Sequence, residues 1–141
     1  MTSFGDLGDQ LGDSPEQYSN ASEPAALQGP TYASVTNGAA IAQNDTLPGF
    51  VATFYDQNGP IDISGCTFVF KMLGSVTATA VEKTNGTGTS GGVFSQSWAS
   101  GDTGIADKYY AQIVCTVTAT GAIFTVPDFG FIPIFVNEAL F

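Results

Sequence analysis

The feature that most constrains this fold lies between Asp45 and Met72, in DTLPGFVATFYDQNGPIDISGCTFVFKM. Two runs, Phe50–Tyr55 and Cys66–Met72, alternate large apolar residues with smaller or polar ones. A period of two sends successive side chains to opposite faces of an extended strand, so each run can bury one face and wet the other. In the second run Cys66, Phe68, Phe70 and Met72 share one side, and Thr67, Val69 and Lys71 share the other. The turn signals Asn58-Gly59-Pro60 and Ser64-Gly65 separate the runs. The stretch predicts the edge of a packed two-layer β domain, without a reactive group in it.

The same grammar continues from Ala39 onward. Strands are expected near 39–43, 49–55, 66–73, 76–84, 93–99, 108–119, 122–127 and 130–137. Turns are expected at Asp56-Gln57-Asn58-Gly59, at Asn85-Gly86, at Gly101-Asp102-Thr103-Gly104 and, as a tight hairpin, at Thr120-Gly121. Short strands punctuated in this way predict an all-β fold, a sandwich or a barrel. In the long strand Tyr109, Ala111, Ile113, Cys115 and Val117 share one face, and Tyr110, Gln112, Val114, Thr116 and Thr118 the other. Trp98 is expected near the open end of the core. Pro127 and Pro133 each remove a ladder donor, so the last strand should be an edge or a bent one. The uncharged run Tyr109–Pro127 is about membrane length, but its β-branched alternation reads as two strands rather than a spanning helix.

Charge narrows the functional classes. The chain has thirteen acids, three lysines, no arginine and no histidine, for a net charge of −10. Such a chain lacks the cations that displace counterions from nucleic acid, or that hold a protein to an anionic membrane. Without histidine it lacks the commonest general base and metal ligand. Without arginine it lacks bidentate clamps for carboxylate or phosphate. No nucleophile–base pair can be assembled around Lys71, Lys83 and Lys108, so no catalytic site and no cofactor are expected. MTSFGDLGDQL at the N-terminus has neither the basic nor the apolar region of a secretory signal.

Residues 1–38 differ in kind and are expected to form an extended arm. They carry Asp6, Asp9, Asp13, Glu16 and Glu23 with no base, and large apolar residues are sparse: Phe4, Leu7, Leu11, Tyr18, Leu27 and Tyr32. Ser14-Pro15-Glu16-Gln17 is a capping box, and Ser22–Gly29 reads as a second short helical turn. The composition also fits an acidic tail without fixed structure. If the arm is ordered, its scattered apolar residues bury too little on one small domain to offset the lost chain entropy. A partner's surface would then be needed, and those apolar residues are the expected docking positions.

Three further constellations have plain structural readings. Cys66 and Cys115 both fall on inward faces, where an immunoglobulin-like sandwich could bridge its sheets, although Trp98 comes later than antibody domains place it. Two reduced core thiols are the simpler expectation. Asn85–Gly92 (NGTGTSGG) lacks the GK[ST] of a phosphate loop and reads as a flexible hairpin tip. Asp102 and Asp107 lack calcium-loop spacing and read as turn caps.

Several pieces in order resemble a recurrent β domain of tailed bacteriophages, the N-terminal domain of the siphophage baseplate upper protein. They are Asp45-Thr46 with Pro48; Asp56, Gly59, Asp62 and Gly65; Trp98 with Gly101-Asp102-Thr103; a Tyr-rich strand; a Gly hairpin; and Pro127 with Gly130. The match covers about Ala39–Phe141; Asn44 stands where relatives often show Gly. The resemblance implies an immunoglobulin-like sandwich and a non-enzymatic structural protein of the virion, assembled in the host cytoplasm. It implies other virion proteins as partners, within a symmetric assembly. Two placements follow. Kinship favours a baseplate or tail adaptor. An N-terminal arm, with no receptor-binding module after Phe141, favours a capsid decoration or cement protein docked on the major capsid protein. A carbohydrate-binding host-adhesion module is a third reading, with Tyr55, Trp98, Tyr109 and Tyr110 as platform candidates.

Overall fold

The computed structural model describes residues 27–140. Among them are eleven strands and no helix: β1 (Tyr32–Asn37), β2 (Ala40–Ala42), β3 (Phe50–Asp56), β4 (Gly59–Pro60), β5 (Cys66–Gly74), β6 (Ala80–Lys83), β7 (Thr87–Gly88), β8 (Val93–Gln96), β9 (Asp107–Val117), β10 (Ile123–Val126) and β11 (Ile132–Asn137). They form a β-sandwich. One sheet has the order β1-β3-β8-β7, with β4 beside β3. The second has the order β2-β11-β9-β5-β6, with β10 beside β9. All pairings are antiparallel except β2 with β11.

The alternation read from the sequence sets the core. Phe50, Ala52 and Phe54 of β3 face inward, as do Phe68, Phe70 and Met72 of β5 and Tyr109, Ala111, Ile113 and Cys115 of β9. Phe94 of β8 sits at the centre, with its ring centroid 5.0 Å from Phe68, 5.2 Å from Phe54 and 6.2 Å from Phe50. Trp98 is buried and meets Phe70 edge-on at 5.6 Å. Each such side chain removed from water contributes about 1.5–3 kcal/mol, and paired rings add to that. The phenol of Tyr109 reaches this core without leaving a polar atom unpaired, because its hydroxyl donates to the Ile105 carbonyl at 2.7 Å.

Four features depart from expectation. The runs around β3 and β5 are not an edge: they are interior strands of opposite sheets, covered laterally by β1 and β6. The strand on β3's flank comes from the segment expected to be arm. Residues 32–37 pair with β3 from Tyr32↔Tyr55 to Asn37↔Val51, so the sandwich starts upstream of Ala39. Half-buried Ala33 and Val35 are its only apolar contribution to the interior, too small a signal to stand out against a polar background. Third, residues 75–79 turn rather than extend, and β6 begins at Ala80. Fourth, the Gly-rich segment is not a free hairpin tip. Thr87 and Gly88 form β7 on β8, and the chain there lies on the core. A Cβ at Gly88 would fall 2.6 Å from Phe68 Cζ, so glycine is what permits this approach.

The closing strand is bent, as the prolines require. Its first half, β10, pairs with residues 113–116 of β9, and its second, β11, with residues 107–111. Pro127–Gly130 form the break between them.

Candidate docking surface

The turns around Asp56, Asp62 and Asp102 are held by carboxylates acting as caps. Buried Asp56 accepts the Asn58 N–H at 2.8 Å and the Gln28 N–H at 3.1 Å, which ties the chain before β1 to the end of β3. Asp62 accepts the Ser64 hydroxyl at 2.7 Å and its N–H at 3.0 Å, and these bonds lower its pKa. Asp102 takes the Lys83 ammonium at 2.7 Å and the Ala99 N–H at 2.6 Å. Thr103 is buried and donates to the Asp45 carbonyl at 2.6 Å, while Asn44 donates its N–H to the Thr103 carbonyl at 2.9 Å. The Asp-Thr-x-Pro entry and the Gly-Asp-Thr turn thus brace each other across the fold. Asn44 itself has φ 72°, a left-handed conformation accepted by Gly and Asn. These residues brace the turns of the scaffold.

Asp107 is the most committed cap. Its carboxylate accepts the N–H groups of Thr77 at 2.8 Å and Val76 at 3.1 Å and the Thr77 hydroxyl at 2.8 Å, closing the β5–β6 turn. The Thr77 N–H leads the effects that hold its pKa at about 2. Among the described residues no group of three His, Cys, Asp or Glu side chains could hold a metal ion.

The thiols lie on the same sheet rather than facing each other across the sandwich. Cys66 pairs with Val117 and Cys115 with Phe68, which makes the cysteines diagonal neighbours on β5 and β9. Both are free thiols, so the bridge between sheets that the spacing allowed is not formed. Burial raises the pKa of both, more strongly at Cys115.

Of the expected docking residues, Phe4, Leu7, Leu11 and Tyr18 lie outside the described residues, as does the Ser14–Gln17 capping box. The two that are described serve their own domain. Leu27 packs against the core. Tyr32 stacks on Tyr55 of the adjacent strand, ring centroids 5.1 Å apart, because β1 pairs there. Leu27 is therefore half-buried against its own domain, whereas Tyr32, although stacked, stays 52% exposed. The glycan platform is not assembled either. Tyr109 and Trp98 are buried, while Tyr55 and Tyr110 belong to different sheets.

A different surface is exposed instead. On the outer face of the second sheet, register aligns Ala80, Leu73, Tyr110 and Pro133 across four strands, with Lys108 beside Phe135 in the next row. Leu73 is 52%, Tyr110 39%, Phe131 58% and Phe135 42% exposed. Phe131 leans on Tyr110 at 5.9 Å. The Lys108 ammonium lies 5.2 Å from the Tyr110 ring centroid and 5.6 Å from that of Phe135. Lys71, Leu73, Ala80, Glu82, Tyr110 and Phe131 line a groove of about 270 Å³. Exposed apolar side chains grouped in this way make the face the candidate surface for docking. The sequence reading placed Lys71 and Tyr110 on this face but passed over Phe131 and Phe135. The signal available was the apolar content of FGFIPIFV at both alternating positions.

No protein-family model, no curated protein and no solved structure matches this chain. No helix among the described residues is long and apolar enough to cross a membrane.

Proposed function

We propose that this chain is a non-enzymatic structural protein of a tailed-phage virion, a capsid decoration protein that works by docking on neighbouring subunits and displaying an immunoglobulin-like sandwich. The observation that carries the docking role is the outer face of the second sheet, where Leu73, Tyr110, Phe131 and Phe135 are open to solvent. The immunoglobulin-like assignment is supported by strand order. β1-β3-β8-β7 runs parallel to the A-B-E-D order of such folds, and β6-β5-β9 with β10 and β11 to the C′-C-F-G order. Tyr109 at the start of β9, bonded to the carbonyl four residues upstream, is the counterpart of the tyrosine corner. The phage assignment rests on the ordered motifs from Asp45 to Gly130.

Quantitative mass spectrometry of purified particles tests this reading. The expected result is stoichiometric incorporation at hundreds of copies per particle. Tens of copies or fewer would move the protein to the baseplate or tail, and absence from particles would overturn the virion role.

A further inference from the structure

We infer that the outer face of the second sheet receives the acidic N-terminal segment, residues 4–18, of a second copy of this chain. The inference rests on the docking role proposed above and names its partner. Charge singles out the segment. The whole chain has only three lysines, and two of them, Lys71 and Lys108, stand on this face. The third, Lys83, is already paired with Asp102. No carboxylate among the described residues lies within ion-pair distance of Lys71 or Lys108, although Glu82 stands beside Lys71 in register. Asp107, next to Lys108, is engaged by the 75–77 turn. Residues 4–18 carry Asp6, Asp9, Asp13 and Glu16 with no base, interleaved with Phe4, Leu7, Leu11 and Tyr18. An apolar, aromatic face with lysines at its rows matches that alternation of apolar and acidic groups. With a net charge of −10, docking of this segment elsewhere on a copy of the chain works against the overall field.

The path of the described chain favours a second copy over the segment's own domain. Thr31 is fixed at β10, its N–H on the Asp128 carboxylate at 2.9 Å and its hydroxyl on the Thr125 carbonyl at 2.6 Å. Going upstream, Gln28 is tied to Asp56 and to the Gln57 N–H, at the end of β3 in the first sheet. The chain therefore leaves the second sheet's margin toward the first sheet as it approaches Leu27, away from Tyr110 and Phe131. Residues 4–18 of a neighbour meet no such reversal.

The test uses the full chain. Equal amounts of ¹⁵N-labelled and unlabelled protein are mixed at low ionic strength and treated with a zero-length carbodiimide, which joins carboxylates to lysines. The expected products link Asp6, Asp9, Asp13 or Glu16 to Lys71 or Lys108, with one peptide heavy and the other light. Links confined to peptides of one isotope would assign the face to the segment's own domain and overturn the inference. So would the absence of links from the segment to these two lysines. A second measurement is self-association by sedimentation. Lys71→Glu with Lys108→Glu, both at exposed positions, should weaken it about tenfold, and adding Asp6→Lys with Asp9→Lys should restore it. Failure of the reversed pair to recover association would also overturn the inference. The particle census stands apart: a protein abundant in particles but without these links keeps its virion role and loses only this contact.

Discussion

Gly88→Ala probes the least expected part of the fold, the Gly-rich segment that lies on the core. The added Cβ would sit 2.6 Å from Phe68 Cζ, 2.8 Å from Ile63 Cγ1 and 2.8 Å from the Ile63 carbonyl oxygen. Carbon atoms rest at about 3.5–4.0 Å, so the overlap is about 1 Å. Phe68 cannot swing aside, because it is buried and meets Phe94 edge-on at 5.0 Å, and the Ile63 oxygen is backbone. Overpacking of this kind costs about 1–3 kcal/mol. Gly91→Ala is the matched control. Its Cβ would meet only Thr89 Oγ1, at 3.8 Å, and its backbone is not left-handed. There alanine should stabilise by about 0.4–1 kcal/mol by restricting the unfolded chain. Urea unfolding of both variants should therefore move the midpoint in opposite directions at unchanged slope. A hairpin tip in open solvent would give two shifts of the same sign. Gly88→Ala as stable as the parent would refute the packing argument.

Three other outcomes follow from the geometry. The Asp107 carboxyl has a pKa of about 2 against an ordinary 3.8, so its stabilisation is fully present above about pH 4 and is lost as pH falls through 2; Asp107→Asn should lower the thermal midpoint at neutral pH and flatten its decline between those limits, and equal slopes would contradict the assignment. In native protein at neutral pH, alkylation should reach Cys66 slowly and Cys115 only on unfolding, with two adducts by mass after unfolding without reductant; no adducts would mean a bridge. Limited digestion with a broad-specificity protease should leave a stable fragment that retains Tyr32–Asn37, and ready cleavage inside that strand would contradict its pairing with β3.

How much of this was legible depended on whether the signal lay in side chains or in partners. Strands with strong alternation were readable almost to the residue: β3, β5 and β9 start and end within two positions of their expected limits. The hairpin at Thr120-Gly121 was readable because Gly121 takes φ 77°, which few other residues accept. β1 was not readable, since YASVTN buries only Ala33 and Val35 and owes its place to ladder bonds with a strand already formed. The turn at 75–79 was hidden for a similar reason. Its β-branched residues favour extension, and what bends them is Asp107, thirty residues later in the chain.

The exposed outer face of the second sheet shows why a period of two carries half the information needed. Alternation places Tyr109, Ala111 and Ile113 inside and so leaves Lys108, Tyr110 and Gln112 outside, but it does not say whether the outside is wet. That depends on what the neighbouring strands add to the same rows. Here β5 adds Leu73 and β11 adds Pro133 and Phe135, so an outer face that a solvated sheet would fill with polar residues carries an apolar stripe instead. The parts of Leu73, Tyr110 and Phe135 that stay in water stabilise nothing in the isolated domain. Their area yields free energy only when another surface covers it. Lys71 and Lys108, which pair with no carboxylate among the described residues, stand on the same face. That surface is therefore expected to be both apolar and negative, a combination that this chain's own residues 4–18 supply.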